Sequence, residues 1–239
     1  MPAKLYVVQG SHPCMTVARA LELKGIPYKT VELPELVHIP IQRRRFGGST
    51  VPGVRFEDGG KAQGSREILR VLDERVPEPP LLPADPDRRA RVEELERWGD
   101  EELQGVARRL VFWGLKKAPV AFPSYTEGSR WRVPAPVARA VGPHVATMVM
   151  RVHTASDETT RADLDALPGH IARIEEALEA GTLGGDPPNA ADLQLAPSVR
   201  LLMTCEDIAP LVEAGRAGTW ARGLFPDVPG RLPAGTLPI

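Results

Sequence analysis

Two cysteines in 239 residues are too few for a disulfide framework. Cys14 and Cys205 stand alone, with no Cys-x-x-Cys pair and no Cys/His cluster at zinc spacing, so no metal is expected. The sequence also lacks a long apolar run: nothing approaches the about 20 residues needed to span a bilayer. Its first residues, Met1-Pro2-Ala3-Lys4-Leu5, lead straight into a strand pattern, without the charged region and apolar core of a secretion signal. An excess of one charge is missing too. Thirty Lys and Arg face 31 Asp and Glu, a formal net charge of -1. That balance argues against a nucleic-acid binder, which needs a basic face to neutralise phosphates. A cytoplasmic, soluble protein is expected. Proline, by contrast, is plentiful at 25 residues, but it is dispersed and marks turns rather than low complexity.

The stretch that organises the rest is Gln9-Gly10-Ser11-His12-Pro13-Cys14-Met15-Thr16-Val17. An apolar run, Leu5 to Val8, precedes it and reads as a strand. A helical pattern follows, with Cys14, Val17, Ala18 and Leu21 on one face. Gly10 permits a sharp turn and Pro13 suits a first helical position. Ser11 therefore falls at a strand-to-helix junction, beside unpaired N–H groups that favour negative charge. By itself that position reads as an ordinary N-cap, and only what lies downstream argues for more.

Downstream, the first helix should run from Pro13 to Lys24 and stop at Gly25. Pro27 to Leu33 alternates like a second strand, parallel to the first. Leu36 to Phe46 is ambiguous, broken by Pro40 and ending in the basic run Arg43-Arg44-Arg45. Gly47 to Gly53 is a turn, Val54 to Phe56 a short strand, and Asp58-Gly59-Gly60 a hairpin returning through Lys61 to Gln63. Gly64-Ser65 opens a helix with Ile68, Leu69 and Leu72 facing inward. This order is a thioredoxin-like layout, a small mixed sheet with helices on both sides. Five prolines between Asp73 and Pro86 make a stiff linker, giving domains at 1–78 and 87–239.

Beyond the linker strand signals vanish. Val92, Leu95, Gly99, Leu103, Val106 and Leu110 trace one stripe of a long helix. Further helices are predicted over Pro136 to His153, Leu164 to Leu178 and Asn189 to Cys205. The Gly- and Pro-rich tail after Gly215 is expected to lie over the surface. Residues Pro119 to Pro134 read as an irregular insertion.

This arrangement resembles the glutathione S-transferase family over essentially the whole chain: a thioredoxin-like α+β N-terminal domain followed by an all-α helical bundle. Four motifs carry the likeness. Ser11, six residues before Val17, is similar to the family's catalytic Ser/Cys segment. Thr50-Val51-Pro52 resembles its cis Val-Pro turn. Gly64-Ser65-Arg66-Glu67-Ile68 is similar to its Glu/Gln-Ser-x-x-Ile helix start. Asn189-Ala190-Ala191-Asp192 resembles the capping box of its buried helix, a structural device.

The resemblance implies a role for each position. Ser11 would be catalytic, donating to the glutathione sulfur. Free thiols titrate near 8.5, so a shift of about two units makes most of that sulfur nucleophilic at pH 7. Val51 and Pro52 would pair with the cysteinyl unit, while Gly64 and Ser65 would hold the γ-glutamyl end. The cosubstrate would be glutathione or a related thiol, the second substrate a small electrophile and the assembly a homodimer, with no metal, nucleic acid or membrane involved. Gly64 departs from the family's acidic or amide residue, which supports as an alternative a silent ligand-binding or scaffold protein. Arg43, Arg44 and Arg45 are expected as an exposed basic patch, and His12 as a partly exposed histidine without a chemical role. Cys14 reads as a small core hydrophobe; a thiol–disulfide oxidoreductase acting through it is the other alternative. Phe112, Trp113 and Tyr125 are leads for an acceptor pocket between the domains.

Overall fold

The computed structural model describes residues 2–131, 134–152 and 154–239. Four short strands and the helices between them form the N-terminal sheet domain. They are β1 (Ala3–Val7), α1 (His12–Leu23), β2 (Tyr28–Glu32), α2 (His38–Phe46), β3 (Gly53–Arg55), β4 (Lys61–Gln63) and α3 (Ser65–Arg75). The sheet order is β2-β1-β3-β4. β1 pairs parallel with β2 and antiparallel with β3, which pairs antiparallel with β4. The crossover through α1 and the hairpin at 58–60 thus give the expected mixed sheet. The ambiguous stretch after Leu36 is helical, and Gly47 ends it in a left-handed conformation.

Leu5, Val54 and Ala62 lie opposite one another across three strands and are buried with Val17 and Leu21 of α1 and Ile68, Leu69 and Leu72 of α3. Helix α2 takes the other face, where Phe46 packs edge-on against Tyr6 at 5.3 Å. Helix α1 ends as predicted around Gly25 (φ +62): the N–H groups of Gly25 and Ile26 return to the carbonyls of Glu22 and Leu21.

Lys24, the last residue before that turn, holds the linker. Its side chain is fully buried, with Nζ 2.6 Å from Asp73 Oδ1, from the Val76 carbonyl and from the Pro79 carbonyl. Asp73 in turn accepts from the N–H groups of Leu81 and Leu82.

The long helix predicted after the linker forms as α4 (Pro86–Trp98) and α5 (Gln104–Lys117), joined through a wide π turn at Gly99–Leu103. The spacing of the stripe anticipates this: Leu95, Gly99 and Leu103 are separated by fours where a regular helix alternates threes and fours. Gly99 is tight against α9, where an added Cβ would come within 2.9 Å of the Leu195 side chain. Four helices follow, α6 (Phe122–Tyr125), α7 (Ala135–Val152), α8 (Asp157–Glu179) and α9 (Ala190–Leu202). His153, the expected end of α7, and Arg132 and Val133 in the 119–134 stretch lie outside the described residues. Helix α8 starts seven residues earlier than the apolar pattern suggests, because Ser156 and Thr159 form a capping box ahead of it.

Helix α9 is the axis of the bundle, buried along almost its whole length. The expected capping box is present: Asn189 Oδ1 accepts from the N–H groups of Ala191 and Asp192, and Asp192 Oδ2 accepts from Asn189 N–H at 2.9 Å. Asp192 also takes the Gly184 N–H and the Trp220 indole N–H, and burial raises its pKa.

The tail departs from the surface-lying expectation. After α10 (Ala209–Glu213), α11 (Ala217–Leu224) packs on α9, and Phe225, Leu232 and Leu237 are buried. Leu232 exchanges backbone bonds with Thr204 and Glu206 and fills the space over Gly114. Spaced apolar residues among glycines and prolines carry no periodicity, so the sequence pattern did not reveal this packing.

Candidate functional site

The site is built at the ends of β1 and β3 and the starts of α1 and α3. Gly10 turns the chain with φ +74, and an added Cβ there would sit 3.8 Å from the Tyr125 carbonyl. Ser11 is the N-cap of α1, half-buried, and its hydroxyl makes no capping bond to the helix. The register Tyr6↔Gly53 runs the chain after Tyr6 beside the chain before Gly53. Val51 and Pro52 lead directly into Gly53 on that register, and the peptide bond between them is cis. The Pro52 carbonyl accepts from Gly64 N–H at 2.9 Å, which ties this turn to the start of α3. Ser65 is the first residue of α3 and only 4% exposed.

Gly64 has φ +87 and ψ 141, a conformation that side chains rarely adopt. Glycine here therefore has a backbone reason as well as removing a side chain. Its neighbour Gln63 has a task the sequence did not reveal: Oε1 accepts from Gly48 N–H at 2.8 Å and Nε2 donates to the Thr50 carbonyl at 2.7 Å. One amide thereby holds both sides of the turn leading to Val51.

His12 corrects the expectation of partial exposure. It is 3% exposed, and its Nδ1 lies 3.0 Å from Ser198 Oγ on α9. Thr16, one turn later, donates to the Leu193 carbonyl at 2.8 Å. Together they fasten the start of α1 to the helical bundle. The physical reason is packing: α1 lies along α9, so a residue next to Ser11 faces the second half of the chain.

Cys14 is buried, and desolvation pushes its thiol up to about 11, with smaller opposing contributions from the Ser11 side chain and the Val8 backbone. A second group also missed by sequence reading stands on the bundle side. Asp100, Gln104 and Arg108 follow one another at single-turn intervals; Gln104 donates to Asp100 at 3.2 Å, and Arg108 donates to Gln104 at 2.8 Å. Burial lowers the pKa of the Arg108 guanidinium, opposed chiefly by Asp100, with Cys14 and Glu35 also near it. Polar residues at four-residue spacing beside an apolar stripe read as a solvated face, which hid this group.

The aromatic leads divide. The Trp113 indole turns to Asp157 on α8 at 2.8 Å. The Tyr125 backbone passes Gly10, while its hydroxyl lies 2.7 Å from Thr204 Oγ1. The segment after Tyr125 crosses towards the sheet: Gln9 donates to the Glu127 carbonyl, and Glu32 accepts from Ser129 Oγ and Arg130 N–H. Part of the stretch read as an insertion is therefore docked against β2 and the Gln9 turn. Among the described residues no cluster of His, Cys, Asp or Glu is arranged to hold a metal ion.

A mixed four-stranded sheet with helices on both faces, joined to a bundle around one buried helix, defines a thioredoxin-like domain with a helical partner. Residues 5–80 match the family model of the glutathione S-transferase N-terminal domain. A maleylacetoacetate isomerase from Pseudomonas aeruginosa is 33% identical over 101 residues, 37% of this chain and 44% of that enzyme's length. A glutathione S-transferase from Rhodospirillum rubrum has the same fold, with a TM-score of 0.65 at 20% identity over 99% of this chain and 98% of that one. A glutathione transferase homologue from sulfitobacter, solved with bound glutathione, superposes with a TM-score of 0.54 at 18% identity, covering 93% and 91%. Residues 5–80 thus carry a glutathione S-transferase N-terminal domain, and the chain as a whole has the fold of the solved glutathione S-transferase.

Proposed function

We propose that this protein binds glutathione, or a related low-molecular-weight thiol, and transfers its thiolate to an electrophilic, largely apolar substrate. The reading rests on one observation: two helix starts, at Ser11 and at Ser65, follow β1 and β4, the strands on either side of β3, and the Val51–Pro52 turn leads into β3 between them. Helix N-termini favour carboxylates and thiolates through their unpaired N–H groups and their dipoles. Ser65 would take the γ-glutamyl carboxylate, Val51 the cysteinyl backbone and Ser11 the sulfur. The relative solved with glutathione bound supports the choice of thiol.

Calorimetric titration with reduced glutathione tests this directly. Binding between micromolar and low millimolar is expected, weakened about tenfold in Ser65→Ala, or about 1.4 kcal/mol. No heat at two temperatures would remove glutathione as the ligand. Unchanged affinity in Ser65→Ala would remove Ser65 from the site.

The surroundings of Cys14 weigh against thiol–disulfide chemistry, which needs an accessible, low-pKa thiolate. With a thiol near 11, only about one Cys14 in ten thousand is ionised at pH 7. Alkylation by iodoacetamide should therefore be slow at neutral pH and accelerate about tenfold per unit up to about pH 10. Fast modification at pH 7, located at Cys14 by mass spectrometry, would restore the redox reading.

A further inference from the structure

One row of paired residues crosses the entire sheet. Lys29 of β2 lies opposite Lys4 of β1, Lys4 opposite Arg55 of β3, and Arg55 opposite Lys61 of β4. Residues directly opposite one another project to the same face, so four cations stand side by side. Three strand spacings separate the first from the last, about 14 Å. All four are exposed. Among the described residues none of them forms an ion pair. Glu57, just past the end of β3, is the nearest carboxylate along that strand.

Like charges directly opposite one another destabilise a sheet. A net charge of -1 for the whole chain gives no general reason for such a row. At its β4 end the row opens into a cleft of about 170 Å³ lined by Tyr6, Arg45, Phe46, Arg55 and Lys61. Three cations meet there without a carboxylate. The Arg45 guanidinium lies over the Tyr6 ring, 5.4 Å from its centre. Lys61 has a partial internal explanation, since its Nζ donates to the Arg45 carbonyl at the end of α2. No hydrogen bond of that kind accounts for Lys4, Lys29 or Arg55 among the described residues.

We infer that this cleft and row form a binding site for a small, multiply charged anion of the diphosphate or triphosphate class. The number of cations sets the class. A single carboxylate satisfies one guanidinium fork, whereas a chain of phosphates offers acceptor oxygens to Arg45, Arg55 and Lys61 and then to Lys4 along the row. A nucleic-acid strand fits less well, because bases need exposed rings to stack on and Tyr6 is covered by Phe46 and Arg45. The site lies on the α2 face of the sheet, away from α1 and α3, and so is separate from the proposed thiol site.

The test titrates inorganic tripolyphosphate into the full-length protein at low salt. One saturable site is expected, with a dissociation constant of about 10–100 µM. Arg55→Ala and Lys4→Ala should each weaken it about tenfold, as should raising the salt to about 0.5 M, where screening shortens the reach of each charge. Both side chains are exposed and stand opposite like charges, so the variants should melt no lower than the parent, and glutathione binding should be unchanged. The inference is overturned if tripolyphosphate does not saturate, or if both variants bind it as well as the parent. Citrate binding as tightly would remove the phosphate assignment. Single-stranded DNA binding without tripolyphosphate binding would replace it with a nucleic-acid surface.

Discussion

Lys24→Met is expected to destabilise the protein by about 3–5 kcal/mol, the range for removing one partner of a buried ion pair. The methionine keeps most of the apolar stem but lacks the ammonium. Asp73 Oδ1 then loses its cation, and the Val76 and Pro79 carbonyls lose the donor 2.6 Å away. Asp73 keeps the Leu81 and Leu82 N–H groups, so its own cost is reduced but not removed. The carbonyls have no such reserve on that side. Because Leu81 and Leu82 are buried where the linker meets the bundle, and Ala190 N–H bonds the Leu81 carbonyl, the damage should reach both halves of the chain. Urea unfolding measures it. A midpoint shift equivalent to less than about 1 kcal/mol would mean that water replaces the ammonium and that the clamp contributes little. The double variant Lys24→Met/Asp73→Asn should recover part of the loss, since it leaves no unpaired carboxylate.

The fold was legible where local chemistry and periodicity agree. Gly25 after an amphipathic helix, Asp58-Gly59-Gly60 between short strands and Asn189 with Asp192 each name a local geometry, and each geometry is present. The candidate site was legible only as far as its segments. Ser11, Val51, Pro52, Gly64 and Ser65 fall at the turns and helix starts that the order of elements assigns them. What remained hidden depends on contacts distant in sequence. His12 meets Ser198, 186 positions away, and Gln63 reaches back to Gly48 and Thr50. Lys24 read as the polar end of a helix, yet its side chain is fully buried by a linker about fifty residues later. The same limit applies to the tail, whose buried Leu232 has no pattern around it. It applies as well to the basic row, whose four members are scattered in sequence and become neighbours only through strand register.

Ser11→Ala should lower kcat/KM for thiol transfer about 100-fold at pH 7 and leave stability almost unchanged. The second half follows from the structure: the hydroxyl makes no bond to the helix N–H groups, so its removal takes no cap from α1. The first half follows from the proposed chemistry. If the hydroxyl holds the bound thiol near pH 6.5, most of the sulfur is thiolate at pH 7. Returned to about 8.5, only about 3% is ionised, a loss of about 25-fold, and poorer orientation of the sulfur without its hydrogen-bond partner makes up the rest. The sign with pH is therefore fixed. The variant should recover as pH rises through 8.5, because the solvent then supplies the thiolate that Ser11 no longer stabilises, while the parent gains little. Rates for both proteins with 1-chloro-2,4-dinitrobenzene between about pH 6 and 9.5 would show it, alongside the absorbance of bound thiolate near 240 nm. A uniform loss across that range would make Ser11 an orienting group. No loss at all would take it out of the mechanism and leave the start of α1 as a binding surface alone.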